Sequence, residues 1–180
     1  MGAAILWLPF YAVADVWTRA TGSAEANGFT QPYISAVGYG SAFYGFLAVL
    51  LSIRAAGILG HGRNTDETRG GATPGHGRNT EETRMMGSSA WAGLAVWLGS
   101  PLLFYMYVAP PFSHACSAFA VALFVNVWLH VRKRWSARGV FALGLSAALV
   151  AMVREQDAFL VLGPVVDFGL AALNNTRDRQ

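Results

Sequence analysis

The chain has a single cysteine, Cys116, so no disulfide can form within it. Its neighbours His114, Ala115 and Ser117 supply no metal-ligand spacing, and Cys116 reads as a small apolar packing residue. Charge is scarce as well: 13% of residues are Asp, Glu, Lys or Arg, about half the fraction of roughly 25% usual in soluble domains. No basic stretch interleaved with aromatics suggests nucleic acid. No basic region precedes the apolar residues that begin at Ile5, which argues against a secretory signal peptide. What remains is apolar: 54% of the 180 residues are hydrophobic, and the mean hydropathy is +0.38. That composition belongs to a membrane protein.

The apolar residues fall into separate runs. Residues 2–14 form the first, interrupted by Pro9 and closed by Asp15. It is shorter than the ~20 residues needed to span a bilayer, so an interfacial helix is expected. Residues 18–36 are polar and rich in turn formers and are expected to be a long loop. Five longer runs follow: Val37 to Ile58, Ala90 to Val108, Ala115 to Leu129, Gly139 to Val153 and Ala158 to Leu173. In the first of them Gly38, Gly40, Ser41 and Gly45 suit close helix packing. In the second, Gly99-Ser100-Pro101 predicts a kink. The fold class expected is therefore all-α: one membrane domain over residues 1–180, with about five transmembrane helices after an N-terminal interfacial helix.

Between the first two spans lies a duplication. Gly60-His61-Gly62-Arg63-Asn64-Thr65-Asp66-Glu67-Thr68-Arg69 recurs from Gly75 to Arg84 with Asp66 replaced by Glu81. The segment has no apolar periodicity, so residues 60–86 are expected to be a disordered loop. His61 and His76 lack a third ligand of suitable type, and neither a metal nor a cofactor is expected anywhere in the chain.

Basic residues set the expected orientation. Arg54, Arg63, Arg69, Arg78 and Arg84 fall in one loop, Arg132, Lys133, Arg134 and Arg138 in another, and Arg177 and Arg179 in the tail. By the positive-inside rule, the segments 54–86 and 130–138 and the C-terminus are expected on the cytoplasmic side of a plasma membrane. Arg19 and Arg154 then fall on the outer side, with the Pro110-Pro111 turn.

Arg154-Glu155-Gln156-Asp157 is a polar cluster between two apolar runs. The run Gly139 to Val153 covers only about 22 Å at ~1.5 Å per residue, so Arg154 is expected below the outer surface, in a cavity. Two readings stand for it: an interfacial ion pair with Glu155 or Asp157, or a phosphate contact, since a guanidinium binds phosphate oxygens bidentately. For His114 the readings are a polar cap or a catalytic base. Asp167, inside the last run, reads as a helix–helix hydrogen-bonding group. Tyr33, Tyr39 and Tyr105 are read as aromatic-belt or core residues, or as the lining of a sugar site.

The order Gly40-Ser41-Ala42-Phe43-Tyr44-Gly45, Trp97 to Tyr105, Ser113-His114-Ala115 and Ala151 to Ala158 resembles the bacterial GT-C-fold membrane glycosyltransferases. These include protein mannosyltransferases and lipid A aminoarabinose transferases. The resemblance implies transfer of a sugar from a polyprenyl-phosphate donor on the extracytoplasmic face. It also implies that Arg154, with Glu155, Asp157 and His114 around it, forms the donor-phosphate site, and that the partners are membrane lipid and a polyprenyl-phosphate-linked sugar. The family's catalytic acid lies in a large outer loop after a first transmembrane helix. This chain is expected to begin downstream of both, as an inactive part of a longer enzyme. Asp15 and Glu25 match no pattern there, so no catalytic residue is assigned. A transporter part, with Asp167 and His114 along a solute path, and a non-catalytic multi-pass protein are the other function classes.

Overall fold

A computed structural model describes residues 2–67, 78–108 and 112–177, and side chains within these except at 61–86 and 174–177. The described residues are all-helical: α1 (Gly2–Thr21), α2 (Gln31–Glu67), α3 (Arg78–Gly99), α4 (Leu102–Tyr107), α5 (His114–Lys133), α6 (Ala137–Val153), a 3-10 segment (Glu155–Val161) and α7 (Leu162–Arg177). Among the described residues three stretches are long and apolar enough to cross a membrane: Gln31–Gly60, His114–Lys133 and Glu155–Leu173. The helix Ala137–Val153 is apolar but shorter.

Contacts between helices fix their directions. Tyr44 packs on Phe119 with ring centroids 4.9 Å apart, and Asn126 Nδ2 donates to the carbonyl of Leu51 at 2.8 Å. Both pairs are 75 positions apart in the chain, so α2 and α5 run parallel and in register. The first turns of α2 therefore project beyond the start of α5 by about 12 Å at ~1.5 Å per residue. A Cβ on Gly45 would lie 2.5 Å from Met106 Cγ, so the glycine lets the antiparallel α4 approach α2 closely. Ala3, Cys116, Ala120, Phe124, Val150 and Val153 form the core between α1, α5 and α6.

The N-terminal region differs from the sequence expectation. α1 does not stop at Asp15; it continues to Thr21 and ends at Gly22, whose φ of +60° suits glycine and whose N–H donates to the Thr18 carbonyl at 3.0 Å. Thr18 is 1% exposed, turned inward one helical turn after buried Ala14, which is why a polar residue continues the packed face. Pro9 sits inside the helix without breaking it. Contacts flank it on both sides: Trp7 Nε1–H donates to Ser41 Oγ at 3.0 Å, and Phe10 packs on Phe43 and Tyr44. The connection to α2 spans only 22–30, and Pro32 lies in the first turn of α2, where its missing N–H removes no helical bond.

At Gly99-Ser100-Pro101 the expected kink is a break between α3 and α4, with Ser100 Oγ accepting from the Leu102 N–H at 3.3 Å. In the duplicated segment, helix reaches Glu67 from one side and starts at Arg78 on the other, where a loop over 60–86 was expected. Residues 68–77, with His76, lie outside the described residues, as does the side chain of His61.

Candidate functional site

The N-termini of α1 and α5, the C-termini of α4 and α6, and the 3-10 segment meet at one end of the bundle, and the N-terminus of α2 with the C-terminus of α1 projects beyond them. Arg154 sits there because α6 ends on it: its N–H donates to the Val150 carbonyl at 3.0 Å, and its backbone is extended (φ −146°, ψ 116°). Its carbonyl then accepts the Asp157 N–H at 3.1 Å, which starts the 3-10 segment. An arginine past a helix C-terminus, followed by Glu155 and Asp157 in the first turn of the next helix, suits both helix dipoles.

The Arg154 side chain is held by two neutral groups. One guanidinium nitrogen donates to His114 Nδ1 at 2.9 Å and the other to Gln156 Oε1 at 2.9 Å. Arginine stays protonated and has no acceptor, so Nδ1 accepts and the imidazole is neutral in this contact. The His114 ring packs on Tyr105 with centroids 3.9 Å apart and planes 32° apart. Asp157 does not pair with Arg154; it accepts a hydrogen bond from Ser117 Oγ. Among the described residues Arg154 forms no ion pair, and Glu155 is exposed without a bond to it. The ion-pair reading of Arg154 is therefore not what the structure shows.

Residues Ala151 to Gln156 line an open polar pocket of about 350 Å³. α1 closes one side of this region, since a Cβ on Gly2 would lie 2.5 Å from the Met152 and Val153 backbone. The structure thus brings His114, Arg154 and Asp157 of the sequence candidates together and leaves Glu155 at the rim. Tyr105, for which the lining of a sugar site was one of the readings, stacks on His114 here; sequence reasoning assigned no role to Gln156 or Ser117. His114 and Ser117 are three positions apart on α5 and share a face, and that spacing was the available signal.

A second polar cluster lies farther out on the same end. Asp15 accepts from Arg19 Nε at 2.8 Å and from the Tyr33 hydroxyl at 2.7 Å. The Arg19 bond first, and then that of Tyr33, holds the Asp15 carboxyl below its ordinary value of 3.8. Both carboxylate oxygens are engaged, which makes this a clamp between α1 and α2. Asp167 makes the helix–helix bond expected of it, accepting from Trp128 Nε1 at 3.1 Å, with Arg132 Nε 3.3 Å away. Cys116 is fully buried, Tyr33 is a core residue and Tyr39 is exposed. No group of three or more His, Cys, Asp or Glu able to hold a metal occurs among the described residues.

Compared with protein-family models, curated proteins and solved structures, the chain matches none.

Proposed function

We propose that the Arg154 end of the bundle binds the phosphate of a polyprenyl-phosphate-linked sugar, as part of a membrane glycosyltransferase acting on the outer face of a plasma membrane. The observation that supports this most is the state of the Arg154 guanidinium. It is partly buried, opens on a polar pocket, is oriented by His114 and Gln156, and forms no ion pair with a carboxylate among the described residues. A cation prepared in this way gains most from an anion, since a charge-assisted contact strengthens as water is excluded.

In this reading the residues have distinct tasks. Arg154 holds the phosphate. His114, stacked on Tyr105, and Gln156 fix the plane of the guanidinium. Asp157 and Ser117 lock the 3-10 segment to α5, so that the pocket keeps its shape. Glu155 at the rim is placed to accept from sugar hydroxyls. The polyprenyl chain lies in the lipid beside α6, and no described residue is assigned to the bond-breaking step.

The test is selective retention. The purified protein in detergent is offered polyprenyl phosphate and the matching neutral polyprenol, and bound lipid is counted by native mass spectrometry. Retention of the phosphate over the alcohol is expected. Equal retention of both would refute the reading and leave a lipid-facing bundle without a donor site.

A further inference from the structure

The opposite end of the bundle carries a second concentration of charge with a different setting. α5 ends at Lys133, Arg134 caps it with extended backbone, and Ser136 accepts the Gly139 N–H at 3.1 Å to start α6. The tightness of this turn brings Arg132, Lys133, Arg134 and Arg138 together, all four exposed. Among the described residues one carboxylate answers them: Asp167 pairs with Arg132 at 3.3 Å. Lys133, Arg134 and Arg138 form no ion pair there.

Trp135 supplies the depth. Its indole is 68% exposed, yet it is fixed edge-on against Phe168 of α7 with centroids 5.0 Å apart. Exposed tryptophans at the ends of apolar helices sit at headgroup level. Lys133, Arg134 and Arg138 flank this indole in sequence on the turn between two apolar helices. A group satisfying both features must present a negative phosphate at the level of an acyl boundary.

We propose that the α5–α6 turn is a binding site for the phosphate headgroup of an anionic phospholipid, with Lys133, Arg134 and Arg138 as its cationic ligands and Trp135 against the acyl–headgroup boundary. Arg132, held by Asp167, sets the turn against α7 and is not a ligand. The site is separate from the Arg154 pocket and does not rest on the glycosyltransferase reading. Free phosphate shares the headgroup's chemistry but does not use the tryptophan.

The full chain in detergent micelles is titrated with phosphatidylglycerol, with phosphatidylcholine of the same chains, and with inorganic phosphate. Bound lipid is read by native mass spectrometry and the site by Trp135 quenching, with Trp135→Phe as the blank. Each cation near an anionic headgroup contributes about fivefold. Lys133→Gln/Arg134→Gln/Arg138→Gln should therefore weaken phosphatidylglycerol binding about a hundredfold. Lys133→Arg/Arg134→Lys/Arg138→Lys should retain it. Phosphatidylcholine should not compete, and inorganic phosphate should not protect. Equal phosphatidylglycerol binding by wild type and the glutamine variant overturns the proposal, as does equal binding of the two lipids. Displacement of lipid by millimolar inorganic phosphate would also overturn it, as a soluble-phosphate site. All three substituted residues are exposed, and the charge-conserving variant separates loss of charge from loss of fold.

Discussion

Arg154 and His114 are forty positions apart in the chain and meet at 2.9 Å, guanidinium nitrogen to imidazole Nδ1. A cation that cannot give up its proton forces the imidazole to present a lone pair. The contact therefore fixes the tautomer of His114 and ties the start of α5 to the end of α6.

One consequence is spectroscopic. With Nδ1 accepting, the His114 proton belongs on Nε2. Nitrogen NMR of histidine-labelled protein at pH 8 should show His114 as the Nε2–H tautomer, and Arg154→Ala should release that preference. The Nδ1–H tautomer in the wild type would contradict the contact.

The Asp15 clamp, farther out on the same end, gives a pH dependence. The Asp15 carboxyl is held below 3.8, by Arg19 first and by Tyr33 second. A carboxyl with a depressed folded-state pKa stabilises the fold above its unfolded value and loses that contribution as pH falls through the folded one. α1 should thus keep its amide protection at neutral pH and lose it only below about 3.8. Asp15→Asn should lower protection at neutral pH and flatten the acid dependence. Hydrogen exchange of residues 12–21 measures both, and an acid loss beginning near pH 6 would assign it to another group.

Asn126 is buried and donates to the carbonyls of Leu51 and Ala122, each at 2.8 Å. Its Oδ1 has no partner among the described residues, so part of what the amide gains is offset. Interhelical hydrogen bonds in membrane bundles average about 0.6 kcal/mol and reach about 1.7. Asn126→Val should cost within that range in a reversible unfolding titration. A loss above roughly 3 kcal/mol would mean that Asn126 organises more than the α2–α5 contact.

Of the three candidate spans found among the described residues, Glu155–Leu173, which ends in α7, has the least cover, with 6% of its apolar window buried. Its attachment near the middle rests on Asp167 with Trp128 and Arg132, and on Gly163, where a Cβ would lie 2.9 Å from the Trp128 ring. Asp167→Asn keeps an acceptor for the indole and loses the ion pair, so its effect should be small. Asp167→Ala loses both and should expose α7 to limited proteolysis. Equal protease resistance of the Ala variant and wild type would show that lipid alone holds α7.

Much of the helical layout was legible from apolar runs, and where it was not, particular residues explain why. Asp15 closed the first run and Thr18 counted as the start of a polar loop, whereas in the fold the Thr18 side chain is buried one turn after Ala14. Pro9 and Pro101 looked alike as helix breakers. The difference lies in tertiary contacts on either side of Pro9 and in the local bond from Leu102 to Ser100 beside Pro101. At the site, Arg154 and His114 were singled out by position, but their pairing needed α5 and α6 in register. Which of Glu155, Gln156 and Asp157 faces Arg154 depended on the 3-10 turn, and a sequence pattern does not fix that geometry.

The proposed function turns on Arg154 as a phosphate ligand. The decisive measurement is the affinity of wild type, Arg154→Lys and Arg154→Ala for polyprenyl phosphate in detergent, read by native mass spectrometry. Charge-assisted hydrogen bonds contribute about 1.5–3 kcal/mol. Arg154→Ala should therefore bind roughly 10- to 100-fold more weakly, with Arg154→Lys between the two and polyprenol binding unchanged in all three. Equal affinity of Arg154→Ala and wild type would contradict the account.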